Sequence, residues 1–402
     1  MSDKKNYRLK NVESSVLEVY QKVNPSTYAI ENSDEEFERL NDFVKNLFLK
    51  KLNFPDKMFA NSNLLEFGTG TGEVSLHYLL NGAKGTFVEM NKIACKRANN
   101  IFSKYAPDPN RYEIINKSLF DFKSDIKFDI VTSLGVLHHT SDKEKAFKHK
   151  VDFLKKGGFI VLGIANSAGF FQRNLQRAII YNFANDEDEI VKLAEELFSD
   201  NLDRAENYGK RTRKAIIYDT YVNPCINTPT TKELLQLFSK NNISLYSSWP
   251  PIIPSFLGDS ANIPSIDSKL ISNLMSVPEL IWMSHNESDI DQLTPVNDAL
   301  GKIIEPLNKL TMHLNNREPK NHINFDFMLE ELTNLLKSSK NTNIILEPLI
   351  GSFIKFTEET KLLVKALENN SITEIKSIIK QSQILFKGTG GLGMNFYIGY
   401  KD

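Results

Sequence analysis

Short apolar runs at 63–67, 85–89, 112–116, 128–133 and 158–164 are bounded by turn-forming residues and predict strands. Between them, 73–81, 91–104 and 142–154 place apolar residues at three- and four-residue spacing and predict helices. Asn91 and either Ser141 or Asp142 stand where helix N-caps are wanted, and Gly82 where a C′ residue is wanted. Strands interleaved with helices predict an α/β, doubly wound, parallel sheet. Its ligand belongs beyond the C-terminal ends of the strands.

The flanks carry other patterns. Residues 12–53 hold two helical patterns, joined by an irregular link at 24–28. In the second, Asp34 to Leu52, Phe37, Leu40, Val44, Leu47 and Phe48 share a face, Ser33 is available as N-cap, and Pro55 helps end the helix. Residues 166–215 read as helical and charged, with Leu193 and Leu197 on the apolar side. Thr230 and Glu233 fit a capping box, and a strand at 243–249 stops at Pro250-Pro251. The next 130 or so residues contain no convincing strand. Helices are expected there at 298–313, 325–338, 344–368 and 371–386, the last with a Ser371–Glu374 capping box. An alternating run at 394–400 follows a glycine-rich turn.

The candidate chemistry is concentrated at the first strand. Leu64 to Gly72 reads Leu-Leu-Glu-Phe-Gly-Thr-Gly-Thr-Gly, and the second strand ends in Glu89. Glycine is needed where the backbone takes positive φ or lets a ligand come close. A carboxylate at the tip of the next strand can accept two hydrogen bonds from a ribose diol. A dinucleotide fingerprint would place its third glycine at position 73, which is Glu73. Glu66, two residues before the first glycine, suits a ligand ammonium better than a diphosphate. Together these residues favour a cationic, phosphate-free nucleoside.

Through Glu66, Gly68, Gly70, Gly72 and Glu89 the chain resembles the class I S-adenosylmethionine (SAM) dependent methyltransferases. Segments 116–119 (Asn-Lys-Ser-Leu), 128–140 and 154–162 follow in that family's order, so the likeness covers about residues 60–165. It implies a seven-stranded, mostly parallel sheet whose antiparallel seventh strand is 394–400. It also implies SAM as cofactor and methyl transfer to an O, N or C nucleophile. The cofactor set would be Glu66, Gly68, Thr69, Gly70, Gly72, Glu89, Met90, Ser118, Leu119, Ser133, Leu134 and Gly135. Glu89 would take the ribose, Glu66 the neighbourhood of the methionyl amino group, Ser118 and Leu119 the adenine, and Ser133 to Gly135 the methionyl side. Many family members carry Asp where this chain has Lys117-Ser118. His138 and then His139, just after the fourth strand, are the candidates for general base, or else buttress the loop. Asn166, Asp219, Tyr221 and Asn223 are candidate substrate-side loop residues.

The expected organisation is an N-terminal helical cap (1–59) and a core of 60–253 plus 385–402. A helical cap insertion (166–215) interrupts the core, and a helical insertion (254–384) precedes the last strand. These added helices could enclose a small acceptor. An RNA- or protein-modifying methyltransferase and a non-catalytic SAM-binding protein remain as alternatives.

Composition narrows partners. The 402 residues carry 49 Lys and Arg against 50 Asp and Glu, a net charge of −1, so no global field draws nucleic acid or anionic membrane. Arg204, Lys210, Arg211, Arg213 and Lys214 form a basic run, either a solvated face or a site for an anionic substrate group. Cys95 and Cys225 suggest neither disulfide nor zinc, and no metal is expected. The longest apolar run, Phe159 to Ala165, is far short of the ~20 residues of a membrane span. No apolar signal core follows Met1. A soluble, cytoplasmic protein is expected, without membrane partner, with homodimerisation through the 254–384 insertion as an open possibility.

Overall fold

Strand β1 (Asn63–Phe67) is buried along four of its five residues and lies inside the sheet. It pairs in parallel with β2 (Lys84–Glu89) on one side and β4 (Phe128–Leu134) on the other. β3 (Tyr112–Asn116) extends the sheet beyond β2, and β5 (Leu154–Ala165) extends it beyond β4, both in parallel. The last strand, β7 (Met394–Lys401), runs antiparallel between β5 and β6 (Ile243–Trp249). The order is therefore β3-β2-β1-β4-β5-β7-β6. From β1 the chain winds outward to β3, then returns to β4 on the opposite side. The C-terminal ends of β1 and β4 thus flank the switch point where such sheets bind ligands.

These relations come from a computed structural model that describes residues 12–23, 33–209, 211–252, 347–387 and 393–402, with single positions at 330, 333 and 337. The link at 24–28, the expected helix 298–313, the expected helix 325–338 apart from those three positions, most of the glycine-rich turn before 394, and Lys210 lie outside the described residues.

Two helical layers cover the sheet. On one face α2 (Asp34–Asn46), α3 (Leu76–Leu80) and α4 (Lys92–Tyr105) pack Leu40, Val44, Leu76, Leu79 and Phe102 against Leu64, Phe87 and Ile130. On the other, α5 (Lys143–Asp152) and α9 (Thr231–Lys240) pack Phe147, Val151, Leu234 and Phe238 against Leu65, Val131 and Ile160. Local sequence explains the helix starts. Ser33, Asn91 and Asp142 accept backbone N–H bonds as N-caps, and Thr230 and Glu233 form a reciprocal capping box.

Three helix boundaries differ from expectation. The first turn expected at 73–75 is absent from α3, where Glu73 is bonded to the Thr71 hydroxyl and Ser75 to Glu66. The helix expected over 34–52 changes at Leu47 into a wide π turn, Leu47–Lys51. The helix expected over 371–386 stops at Gln381, because Glu359 accepts the N–H groups of Gln383, Ile384 and Leu385 at 2.7, 3.1 and 2.8 Å.

A third core lies apart from the sheet. The segment after β5 forms α6 (Phe171–Phe183), α7 (Glu187–Gly209, kinked at Phe198) and α8 (Arg213–Ile217), which runs into a π turn at Tyr218–Val222. These pack with α10 (Glu347–Glu368) and α11 (Ile372–Gln381) around Phe171, Ile179, Phe198, Phe356, Leu363 and Ile375. Val19 of α1 (Val12–Lys22) joins the same core. Among the described residues no helix is long and apolar enough to cross a membrane.

Candidate active site

The glycine turn begins where β1 ends. Gly68, Gly70 and Gly72 have φ of +79°, +58° and +87°, in the left-handed region that favours glycine. Two of them also make room for protein. A Cβ on Gly68 would strike Val136, and one on Gly72 would lie 2.9 Å from Phe102 and 3.0 Å from Ala98 of α4. Gly72 thereby supplies the close helix packing that a dinucleotide fold assigns to position 73. Gly135, at the end of β4, differs: its φ is +75° and nothing lies within 4 Å of an added Cβ.

Two buried carboxyls frame this turn. Glu89, at the tip of β2, accepts the Gly70 N–H at 2.9 Å and the Asn91 N–H at 2.7 Å, which ties the turn to the start of α4. Burial raises its pKa, opposed by these backbone N–H groups. A carboxylate has about four acceptor positions, so capacity remains for a ligand diol. Glu66 takes the Ser75 hydroxyl on one oxygen and the Thr132 hydroxyl at 3.2 Å on the other, with Thr69 beside it. Burial pushes its pKa up to about 7 despite these donors. An ammonium placed beside it would favour the ionised form.

The other expected cofactor residues are distributed around the same strand ends. Ser133 is fully buried with no hydrogen-bond partner for its hydroxyl among the described residues, and Leu134 and Gly135 follow it. Met90 presents its carbonyl to Asn116 Nδ2 at 2.9 Å. Ser118 is used within its own turn, where Oγ accepts the Phe120 N–H at 3.3 Å, and Leu119 packs against the α5 side.

The two histidines are distinguished by what their Nδ1 atoms meet. His138 is buried, and its Nδ1 accepts the Ala165 N–H at 3.3 Å, so the proton sits on Nε2. His139 is partly exposed, and its Nδ1 lies 2.6 Å from the Cys225 carbonyl, which can only accept. Asn223 Nδ2 also lies near this atom, at 3.3 Å, but the shorter carbonyl contact assigns the proton to Nδ1 and leaves the lone pair on Nε2. Burial lowers both pKa values, well below the usual histidine value for His138. The tautomers favour His139 over His138 as a base, the reverse of the order read from sequence.

Asp219, Tyr221 and Asn223 belong to the π turn and its end instead of an open loop. Asp219 accepts Arg211 Nη2 at 3.0 Å and the Tyr20 hydroxyl at 3.4 Å. Burial opposes its charge, but Arg211 and His139 hold its pKa below the ordinary value. Asn223 Nδ2 donates to the Tyr20 hydroxyl at 3.2 Å, and its Oδ1 accepts the Cys225 N–H at 3.0 Å. The Tyr221 hydroxyl donates to Gln176 at 2.9 Å. Asn166 is occupied in the β5–α6 turn, where Oδ1 accepts the Ala168 N–H at 2.9 Å and Nδ2 donates to Thr231 at 3.1 Å.

Sequence reading missed Tyr20, which joins α1 to this cluster across about 200 positions, and Arg173 and Arg177 of α6. No local spacing signals such contacts. Among the described residues of the basic run, Arg211 alone bonds to the cluster. Arg213 pairs with Asp203 and Glu206, Arg204 donates to the Phe386 carbonyl, and Lys214 lies over the Tyr218 ring. Among the described residues no group of three or more His, Cys, Asp or Glu could hold a metal ion.

A family model described as a methyltransferase domain matches residues 34–247. A polyketide synthase-nonribosomal peptide synthetase of Aspergillus clavatus is 26% identical over 116 residues, covering 26% of this chain and 3% of that protein. The chain thus spans a small fraction of that relative's length. The N-methyltransferase NodS of Bradyrhizobium japonicum, solved with S-adenosyl-L-homocysteine, is 21% identical, with a TM-score of 0.30 over 39% of this chain and 75% of that one. YcgJ of Bacillus subtilis is 18% identical, with a TM-score of 0.31 over 53% and 71%. The magnesium protoporphyrin IX methyltransferase of Synechocystis PCC 6803, with bound S-adenosylhomocysteine, is 11% identical, with a TM-score of 0.33 over 59% and 85%.

Proposed function

We propose a function on one premise: the chain belongs to the methyltransferase-domain family, whose model matches more than half of it. The reading is SAM-dependent methyl transfer to a small molecule. The observation that carries the cofactor is the pair of buried carboxyls, Glu66 and Glu89, at the ends of adjacent strands around the glycine turn. These residues fit a cationic nucleoside. Glu89 has acceptor capacity for a ribose diol, Glu66 gains from a nearby ammonium, and an added Cβ at Gly135 would meet nothing within 4 Å. When bound, SAM supplies an electrophilic methyl group.

The chain's own residues would then orient the acceptor and take its proton. His139 is held by the Cys225 carbonyl at Nδ1, which leaves the Nε2 lone pair to take a proton. Asp219, held ionised by Arg211, stands within electrostatic reach of His139 and stabilises its protonated form. What supports a small acceptor is the cover over this cluster. Tyr20 of α1, Arg177 of α6 and the π turn close on one another, and Tyr221 and Asn223 are buried. A polymer would need an open groove. The same reading places the enzyme in the cytoplasm, consistent with two free cysteines.

The test is a transfer assay with methyl-labelled SAM and cell extract separated into small-molecule, RNA and protein fractions. Label is expected among the small molecules, and His139→Ala should lower it about 10²- to 10⁴-fold without weakening S-adenosylhomocysteine binding. Label confined to RNA or protein would overturn the substrate class. Unchanged turnover in His139→Ala would remove the base.

A further inference from the structure

Helix α1 (Val12–Lys22) is bonded to both ends of the candidate site. Near its start, Glu13 accepts the Ser141 N–H at 3.1 Å and the Ser141 hydroxyl at 2.5 Å, just after His138 and His139. Near its end, the Tyr20 carbonyl accepts Asn91 Nδ2 at 3.1 Å, in the turn after β2. β1 stands between β2 and β4 in the sheet, so α1 bridges the strand ends on either side of the glycine turn. Its apolar residues Val16 and Val19 are buried, which seats the helix there.

Tyr20 makes contacts toward both ends of that bridge. On the acceptor side its hydroxyl has a fixed polarity. Asp219, held ionised by Arg211, can only accept, so the hydroxyl donates to Oδ1 at 3.4 Å and its oxygen accepts Asn223 Nδ2 at 3.2 Å. The same Nδ2 lies 3.3 Å from His139 Nδ1, and the Tyr20 and His139 rings meet edge to face, with centroids 6.1 Å apart. On the cofactor side, Asn91 is 2% exposed, so its bonds are made without competition from water. Its Oδ1 accepts the Ile93 N–H at 3.0 Å as the cap of α4, and its own N–H donates to Glu89 Oε1 at 2.7 Å. A continuous run of contacts therefore leads from Glu89 through Asn91 and Tyr20 to Asn223 and His139.

That run responds to a ligand at Glu89. Burial disfavours the ionised carboxyl, and a diol donating to it favours the charge again. An N–H bond to a carboxylate is about twice as strong as one to a neutral acceptor. A ligand on Glu89 thus firms Asn91 and, through its side chain, the seat of Tyr20.

We propose that Asn91 and Tyr20 are positioning residues through which a ribose on Glu89 orders His139, so that the base is set once the cofactor is in place. This rests on the methyl-transfer reading and adds an order of binding to it, with SAM first and the acceptor second.

The test uses the full chain at saturating S-adenosylhomocysteine, checked by calorimetry, with two variants. Asn91→Ser keeps a capping oxygen for α4 but is too short to reach the Tyr20 carbonyl. Tyr20→Phe keeps that carbonyl and the ring and loses the hydroxyl. The ligand is expected to slow amide hydrogen exchange in α1 about three- to tenfold more in the wild type than in Asn91→Ser, the worth of one hydrogen bond. Tyr20→Phe should keep this protection of α1. Carbethoxylation of His139 by diethyl pyrocarbonate, read by mass spectrometry, should be slowed by the ligand in the wild type and less so in both variants. Direct shielding by the ligand is the same in all three proteins, and general loosening would not spare α1 in one variant alone. Equal protection of α1 in the wild type and Asn91→Ser, or of His139 in the wild type and Tyr20→Phe, overturns the proposal. Binding without any protection removes the link alone, whereas no binding to the wild type counts against methyl transfer and removes the link with it.

Discussion

At neutral pH the carboxyl of Glu66 is poised between two protonation states, because burial raises its pKa to about 7 against the pull of Ser75 and Thr132. In the unfolded chain the same group titrates near ~4.3. Between those values the folded state holds the extra proton, so stability falls as pH rises through the window, by roughly 4 kcal/mol at most. A cationic ligand reverses the preference. We expect SAM to bind more tightly as pH rises from 6 to 8, with release of a proton, and calorimetry in buffers of different ionisation heat reads both. Glu66→Gln should raise the melting temperature at pH 8, weaken SAM and flatten the pH dependence. A pH-independent affinity in the wild type would remove Glu66 from the ammonium's neighbourhood. Glu66 and Glu89 were legible in sequence because a strand end and a glycine spacing are local facts. Tyr20 and Arg177 were not, since their contacts arise only when α1 and α6 meet the π turn from far along the chain.

At the scale of elements, the glycines divide between packing and ligand space. Gly72 sits 2.9 Å (Cβ position) from Phe102, whereas Gly135 faces nothing within 4 Å. Both have positive φ, so alanine at either costs about 1–2 kcal/mol of backbone strain. Gly72→Ala adds a collision with α4 and should lower the melting temperature by clearly more than Gly135→Ala. Gly135→Ala should lose S-adenosylhomocysteine affinity out of proportion to its small loss of stability. Equal melting temperatures for the two variants would contradict this division. Sequence marked all three glycines of the turn as one ligand-approach device, because it could not show that Phe102 and Val136 fill two of the spaces. Helix starts were readable from caps such as Thr230 and Asn91, which act within a few residues. The end of α11 was not, because the carboxylate that captures the following amides is Glu359, on another helix.

Across the whole molecule, β7 is the piece that closes the sheet. It carries Tyr397 and Ile398, both buried, between β5 and β6, so its removal would open two strand edges at once. Deleting residues 387–402 should therefore abolish soluble, cofactor-binding protein. A soluble truncation that still binds S-adenosylhomocysteine would show that β7 is dispensable. The seventh strand was legible as an alternating run, and the family resemblance supplied its antiparallel place. The sequence suggested that the added helices come together, but not that they share a buried core in which α10 and α11 pack against α6 and α7, because those contacts join residues far apart along the chain. The position of β7 also sets a clock on biosynthesis. More than two hundred residues separate β5 from the strand that covers its edge. At about 5–20 residues per second, a nascent chain carries that open edge for roughly ten seconds to most of a minute. The open edge of β5 is then a hazard of synthesis, and ribosome pausing between codons 165 and 394 should divert chains into aggregates more readily than pausing before the sheet has begun.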